Sequence, residues 1–158
     1  MPLNILGLNH NTAPVEIREQ VVFEGDAVDR ALTAVTALDG VSEAVVLSTC
    51  NRTELYVECD GTGLAAIRAW LQEDQAMNEA TTAALFSMER EDAIRHLFRV
   101  ACGLDSMVLG EPQILGQLKD AFRQAEQRST VGPQLSRLFH HTFSVAKKVR
   151  TDTEIGAS

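Results

Sequence analysis

A thiol, an amide and a guanidinium occupy consecutive positions, Cys50, Asn51 and Arg52, inside AVVLSTCNRTELYVEC, the stretch from Ala44 to Cys59. Apolar runs flank this polar knot, so its side chains stand where two strands turn. A tight turn ordinarily uses Gly, Pro or Asp; this one carries reactive groups instead. A positive neighbour raises a thiol's thiolate fraction. A thiolate attacks an ester or acyl carbonyl and holds the acyl group as a thioester. Free cysteines more often serve as small buried hydrophobes. Both readings stay open for Cys50. The buried one is expected for Cys59, in an alternating strand, and for Cys102, beside Gly103 at a helix stop. The Arg52 fork matches a carboxylate bidentately; a surface salt bridge to Glu54 is the plainer alternative.

A second polar group lies in GLDSMVLGEPQILGQ, Gly103 to Gln117. Ser106, Glu111 and Gln117 bring a hydroxyl, a carboxylate and an amide around a loop that opens a helix. Pro112 suits the first helical turn, and Glu111 suits the positive end of the helix dipole. Capping explains those two but not a polar loop broken by Met107, Val108 and Leu109. Together the set offers acceptors for an amino group and donors for a carboxylate. His96 falls about 160° from the centre of its helix's apolar stripe of Ile94, Leu97, Phe98 and Ala101. It therefore faces water or lines a cleft made by another part of the chain, where it can move a proton or polarise a carbonyl. No G-x-G-x-x-G loop follows a strand. No metal set has sensible spacing: His140 and His141 are adjacent and point to different sides of a helix.

The elements that must position these groups are legible. The 158 residues, 45% hydrophobic, suffice for one domain with a proper core. LNILGLNH is a short strand, PVEIREQVVF a short helix, and Gly25 to Leu38 an amphipathic helix stopped by Gly40. EAVVLST and ELYVEC are neighbouring antiparallel strands. TGLAAIRAWLQ is a helix and ALFSME a strand. The order β-α-β-β-α-β predicts an α+β, ferredoxin-like sheet with helices on one face. Three further helices follow, over EREDAIRHLFRVAC, EPQILGQLKDAFRQAEQ and PQLSRLFHHTFSVAKKVRTDT, with RSTVGP as a loop.

Three cysteines without a C-x-x-C pair argue against a disulfide framework, and a reducing, cytoplasmic setting is the default. No apolar run approaches a membrane span, and the N-terminus lacks the pattern of a signal peptide. The net charge of −8 is uneven. Between residues 119 and 150, Lys119, Arg123, Arg128, Arg137, Lys147, Lys148 and Arg150 face only Asp120 and Glu126. This stretch is either a solvated helical face or a local footprint for a polyanion.

Taken together, GLNHNTAPVEIRE, LSTCNRTELY and GLDSMVLGEPQILGQLKDAF resemble the glutamyl-tRNA reductase family, from Gly7 to the last helix. The resemblance implies that Cys50 is the nucleophile on the glutamyl-tRNA ester. It implies that Thr49 and Arg52 hold the glutamate, with Ser106, Glu111 and Gln117 as further pocket residues. Asn51, Pro112 and Gln113 lie within the same matched segments, and His96 matches a histidine important for activity. It implies NADPH as reductant, glutamate-1-semialdehyde as product, glutamyl-tRNA as partner and a homodimer in the full-length family. Residues 1–152 are then the catalytic domain, and 153–158 begin a linker toward an absent NADPH-binding domain. The isolated piece is expected to be monomeric and limited to thioester formation or ester hydrolysis. A non-catalytic tRNA-binding or regulatory module of the same fold is the alternative.

Overall fold

The computed structural model describes residues 2–153. Strand β1 (Leu3–Asn9) leads through the short α1 (Val15–Arg18) to α2 (Asp26–Thr36). The hairpin β2 (Val41–Ser48) and β3 (Arg52–Cys59) follows, then α3 (Gly61–Asp74), α4 (Glu79–Ala83) and β4 (Phe86–Glu89). Helices α5 (Arg90–Ala101), α6 (Gln113–Gln127) and α7 (Pro133–Thr153) complete the chain. The expected linker at 153–158 lies, apart from Thr153, outside the described residues.

The four strands form one antiparallel sheet in the order β2-β3-β1-β4. β1 and β2 therefore run parallel with β3 between them, as the expected element order requires. Every residue of β1 and β3 is buried, so both sheet faces are covered. Leu6, Leu55, Val57 and Val46 share the face under α2 and α3. Ile5, Glu54, Tyr56 and Val45 share the other, which receives α5 and α7. The alternation in ELYVEC thus sends Leu55, Val57 and Cys59 to one buried face and the polar Glu54, Tyr56 and Glu58 to the other.

Local sequence explains most boundaries. The Asp60 side chain caps α3 by accepting from Gly63 N at 2.8 Å, and Asn78 caps α4 in the same way. The α4 turn was not readable as a helix from its short NEATTA segment. PVEIREQVVF is helical only as far as Arg18, because Val21 and Phe23 are needed in the core and leave the helical path to reach it. Phe23 stacks on Trp70 of α3 with centroids 6.1 Å apart. The outer edge of β2 is occupied by Thr130, which exchanges hydrogen bonds of 2.9 Å with the Ala44 backbone. Glu43 reaches from β2 to the start of α7, where its carboxylate accepts from the N–H groups of Gly132, Gln134 and Leu135. No described helix is long and apolar enough to cross a membrane.

Candidate active site

β3 begins at Arg52, three residues before the first apolar residue, Leu55, so the turn shrinks to Thr49, Cys50 and Asn51. Thr49 N donates to Arg52 O at 2.7 Å and closes it. The Thr49 hydroxyl accepts from Asn51 N at 3.1 Å. Behind the turn, the Thr53 hydroxyl donates to Val21 O at 2.6 Å, and the Ser48 hydroxyl accepts from Phe23 N at 3.0 Å. The irregular 19–25 segment thereby anchors the hairpin end. Cys50 is exposed at the tip, whereas Cys59 and Cys102 are buried. Its carbonyl accepts from Arg18 Nε at 3.4 Å, and Arg18 Nη1 also donates to Ala13 O at 2.8 Å.

Arg52, as a strand residue, points away from the tip onto the polar face and is only 2% exposed. Register places Asn9 opposite Arg52 and Gly7 opposite Glu54. A Cβ at Gly7 would stand 2.3 Å from Thr53 O and 2.8 Å from Glu54 Cα, so only glycine fits beside that glutamate. The fully buried Glu54 is the hub. Its Oε2 accepts from Arg52 Nη1 (3.1 Å), Asn9 Nδ2 (3.1 Å) and lies 2.8 Å from His96 Nε2; its Oε1 accepts from Tyr56 at 2.6 Å. Burial pushes the Glu54 carboxyl up. The hydrogen bond and charge of His96, then Arg52 and the Tyr56 hydroxyl, more than reverse this and hold it at about 2. Burial also opposes the Arg52 charge, but Glu54 and Asp105 keep it firmly cationic. Tyr56 is pushed up by burial and by Glu54.

The Gly103–Gln117 segment meets this cluster from the other side. Asp105 accepts twice from Arg52, through its carboxylate at 3.0 Å and its carbonyl at 2.8 Å. Two Nη1 bonds and one Nη2 bond leave Arg52 Nε and one Nη2 hydrogen without a partner among the described residues. Thr49, Cys50, Asn51, Arg52, Ser106, Glu111, Gln113 and Gln117 line one crevice of about 40 Å³. Eight of the ten residues singled out from the sequence therefore converge.

Pro112 and His96 stand apart. Pro112 is exposed and starts α6 rather than lining the crevice. His96 does not face water: it is 6% exposed, packs edge-on against Phe86, and joins the crevice only through Glu54 and Arg52. The apolar stripe misled because it was centred on Ile94 and Phe98, whereas the one buried face of α5 lies to the side of them and Ile94 is exposed. Ala93, Leu97 and Val100 face inward with His96, while Ile94 and Phe98 line a groove of about 470 Å³ against α7. The polar side chain tolerates burial because Glu54 meets it. The alternative of an exposed Arg52–Glu54 salt bridge is likewise corrected: the pair exists and is buried.

Asp105, Asn9 and Arg18 were missed, and Glu54 and Arg150 were weighed only as a surface partner of Arg52 and as one cation of a basic stretch. Positions 52, 54 and 56 share a strand face by simple alternation, which was the one available signal for Glu54. Arg150 does not belong with the open cations: it bonds main-chain oxygens of Ala101, Gly110 and Glu111. Arg123 pairs with Asp120 and Arg128 with Asp29, leaving Lys119, Arg137, Lys147 and Lys148 as the exposed cations of this stretch with no ion pair among the described residues. Among the described residues no cluster of three His, Cys, Asp or Glu side chains is arranged to hold a metal.

Fold and site together define a mixed α/β domain that displays one cysteine thiol at the mouth of a polar crevice. The family model described as "Glutamyl-tRNAGlu reductase, N-terminal domain" matches residues 6–153. The chain belongs to the glutamyl-tRNA reductase family and corresponds to its N-terminal domain. Over all 158 residues it is 54% identical to a glutamyl-tRNA reductase of Xanthomonas campestris pv. phaseoli, of which it covers 36%. It is 50% identical over 159 aligned residues to one of Methylococcus capsulatus, covering 38%. The solved glutamyl-tRNA reductase of Methanopyrus kandleri superposes with a TM-score of 0.77 at 33% identity, over 95% of this chain and 34% of that one. The chain thus spans about a third of the length of these relatives.

Proposed function

We propose that this chain carries out the acyl-transfer half of glutamyl-tRNA reduction, the first step of tetrapyrrole synthesis by the glutamate route. The Cys50 sulfur attacks the ester carbonyl that joins glutamate to the tRNA. The C–S bond forms, the C–O bond breaks, and the thiol's proton leaves with the tRNA hydroxyl. A glutamyl thioester remains on Cys50. The observation that carries this reading is the crevice itself: the one exposed thiol of three opens onto hydroxyl, amide, carboxylate and guanidinium groups.

The roles follow from donor and acceptor chemistry. The unused Nε and Nη2 hydrogens of Arg52 bind the glutamyl carboxylate. Glu111 accepts from the substrate's ammonium group. The Thr49 and Ser106 hydroxyls and the Asn51, Gln113 and Gln117 amides complete its hydrogen bonds. Pro112 fixes where α6 starts, and so where Gln113 stands. His96 is a positioning residue: it holds Glu54, which holds Arg52. Lys147 and Lys148 offer a place for tRNA phosphates.

NADPH, which the family implies, would supply the hydride that turns the thioester into glutamate-1-semialdehyde. The residues around Cys50 do not fit a dinucleotide: no G-x-G-x-x-G loop joins a strand to a helix, and the crevice holds only about 40 Å³. No reductive step is therefore assigned to these side chains; it belongs to the longer, homodimeric enzyme of the cytoplasm.

Incubation of the chain with glutamyl-tRNA and NADPH tests the division of labour. Release of free tRNA that depends on Cys50, without semialdehyde, is expected. Semialdehyde from this chain alone, or tRNA release unchanged in Cys50→Ser, would overturn it.

A further inference from the structure

Arg150 lies near the end of α7 and makes no ion pair with an acid among the described residues. Its guanidinium instead spans the two ends of the loop that follows α5. Nε and Nη2 each donate to Ala101 O at 3.4 Å, where the loop departs. Nη1 donates to Gly110 O at 3.2 Å and Nη2 to Glu111 O at 2.8 Å, where the loop returns. Gly110 N closes the neck by donating to Gly103 O at 2.9 Å. Both glycines have positive φ, +77° at Gly103 and +74° at Gly110. A Cβ on Gly103 would stand 2.8 Å from Arg150 Nη2, so the neck is built around the guanidinium.

Beyond the neck, Leu104 O accepts from Arg99 Nη2 at 3.2 Å and Asp105 accepts from Arg52, but the tip has little to hold it. Met107, Val108 and Leu109 at its tip are 61–71% exposed, so packing does not fix them. Between neck and tip it carries Asp105, which holds Arg52, and Ser106; Glu111 follows the neck. The crevice beneath, about 40 Å³, admits a few waters but not a glutamyl chain. A glutamyl chain that reaches the thiol therefore meets this loop, and where the loop stands matters to it.

We propose that Arg150 is a positioning residue for the reaction at Cys50. By clasping both ends of the Gly103–Glu111 loop from the end of α7, it sets where Ser106, Glu111 and, through Asp105, Arg52 stand against the thiol. The place of α7's last turns then governs whether the crevice is competent. This rests on the crevice being the glutamyl site, so the test includes a readout that does not.

Hydrogen exchange of the 104–111 amides and single-turnover acylation by glutamyl-tRNA are measured for the parent, Arg150→Ala and Arg150→Lys. Losing the clasp in Arg150→Ala should speed loop exchange about tenfold or more, with the β1 and β3 amides still protected. Acylation should slow roughly a hundredfold, in the rate constant more than in the half-saturating concentration. Iodoacetamide should still reach Cys50 at least as fast as in the parent. Lysine, able to bond one carbonyl at a time, should recover part of both losses, and it decides the matter if the alanine variant does not fold. Unchanged loop exchange overturns the proposal, as does parental acylation. Loss of β1 and β3 protection in step with acylation does so too, since that marks a purely structural role. If the parent itself is not acylated, the glutamyl reading fails, while loop exchange still reports whether the clasp exists.

Discussion

His96 Nε2 lies 2.8 Å from Glu54 Oε2 inside the core, and this contact links α5 to the arginine beside the nucleophile. The same carboxylate oxygen serves His96, Asn9 and Arg52. Removing the imidazole frees Glu54 to shift and takes Arg52 with it. His96→Ala should cost about 2 kcal/mol, in the range for a buried hydrogen bond to a charged group. Acylation of Cys50 should slow, while its alkylation by a neutral reagent persists. Urea unfolding and single-turnover kinetics check both; a variant as stable and as fast as the parent would remove His96 from the relay.

Arg52→Lys keeps the charge and loses the fork. One ammonium cannot bond Glu54, the Asp105 carboxylate and the Asp105 carbonyl while still presenting donors to a substrate. Acylation should fall roughly a hundredfold, as expected for a displaced binding group. Circular dichroism should show a folded protein, because Glu54 retains a cation beside it. Near-parental acylation by the lysine variant would mean that charge alone suffices.

Two glutamates titrate in opposite senses. Glu58 is cross-strand from Glu43; burial and that neighbour push its carboxyl up to about 7, and its Oε2 has no partner among the described residues. The folded state then binds the proton more tightly than the unfolded chain. Its contribution is greatest below about 4.5 and is lost as pH rises to about 7. Glu54, held at about 2, contributes above about 4.5 and loses that contribution as pH falls toward 2. Glu58→Gln should flatten the decline in melting temperature between pH 4.5 and 7 and leave the acid limb intact. An identical profile in the variant would contradict the assignment.

The three thiols should separate cleanly. Cys59 is pushed up to about 11 by burial and by Asp60, and burial also raises Cys102. Both are shielded, whereas Cys50 is exposed. Brief treatment of the native chain with iodoacetamide at neutral pH should label Cys50 alone, and all three in urea. Peptide mass spectrometry reads the outcome; native labelling of Cys59 or Cys102 would show the core to be open.

How far the sequence carries can be judged from particular residues. The β-α-β-β-α-β order was readable because each strand is a separate apolar run and Gly40 and Gly103 mark helix ends. The crevice was readable because its parts lie in two short polar segments that interrupt apolar ones. The Glu54 hub was not, since it depends on Asn9 standing opposite Arg52 in the sheet and on His96 arriving from a helix. The His96 environment was misjudged because Ile94 and Phe98 drew the expected apolar stripe away from the face that is buried, which Ala93, His96, Leu97, Val100 and Ala101 share. Arg150 read as a surface cation because its partners are backbone oxygens, which carry no side-chain signature.

The most direct measurement is the intact mass of the chain after brief exposure to glutamyl-tRNA without NADPH. A single glutamyl adduct should form, map to Cys50, disappear with hydroxylamine and be absent from Cys50→Ser. No adduct on the parent, or an adduct that persists in Cys50→Ser, would contradict a thioester at this turn.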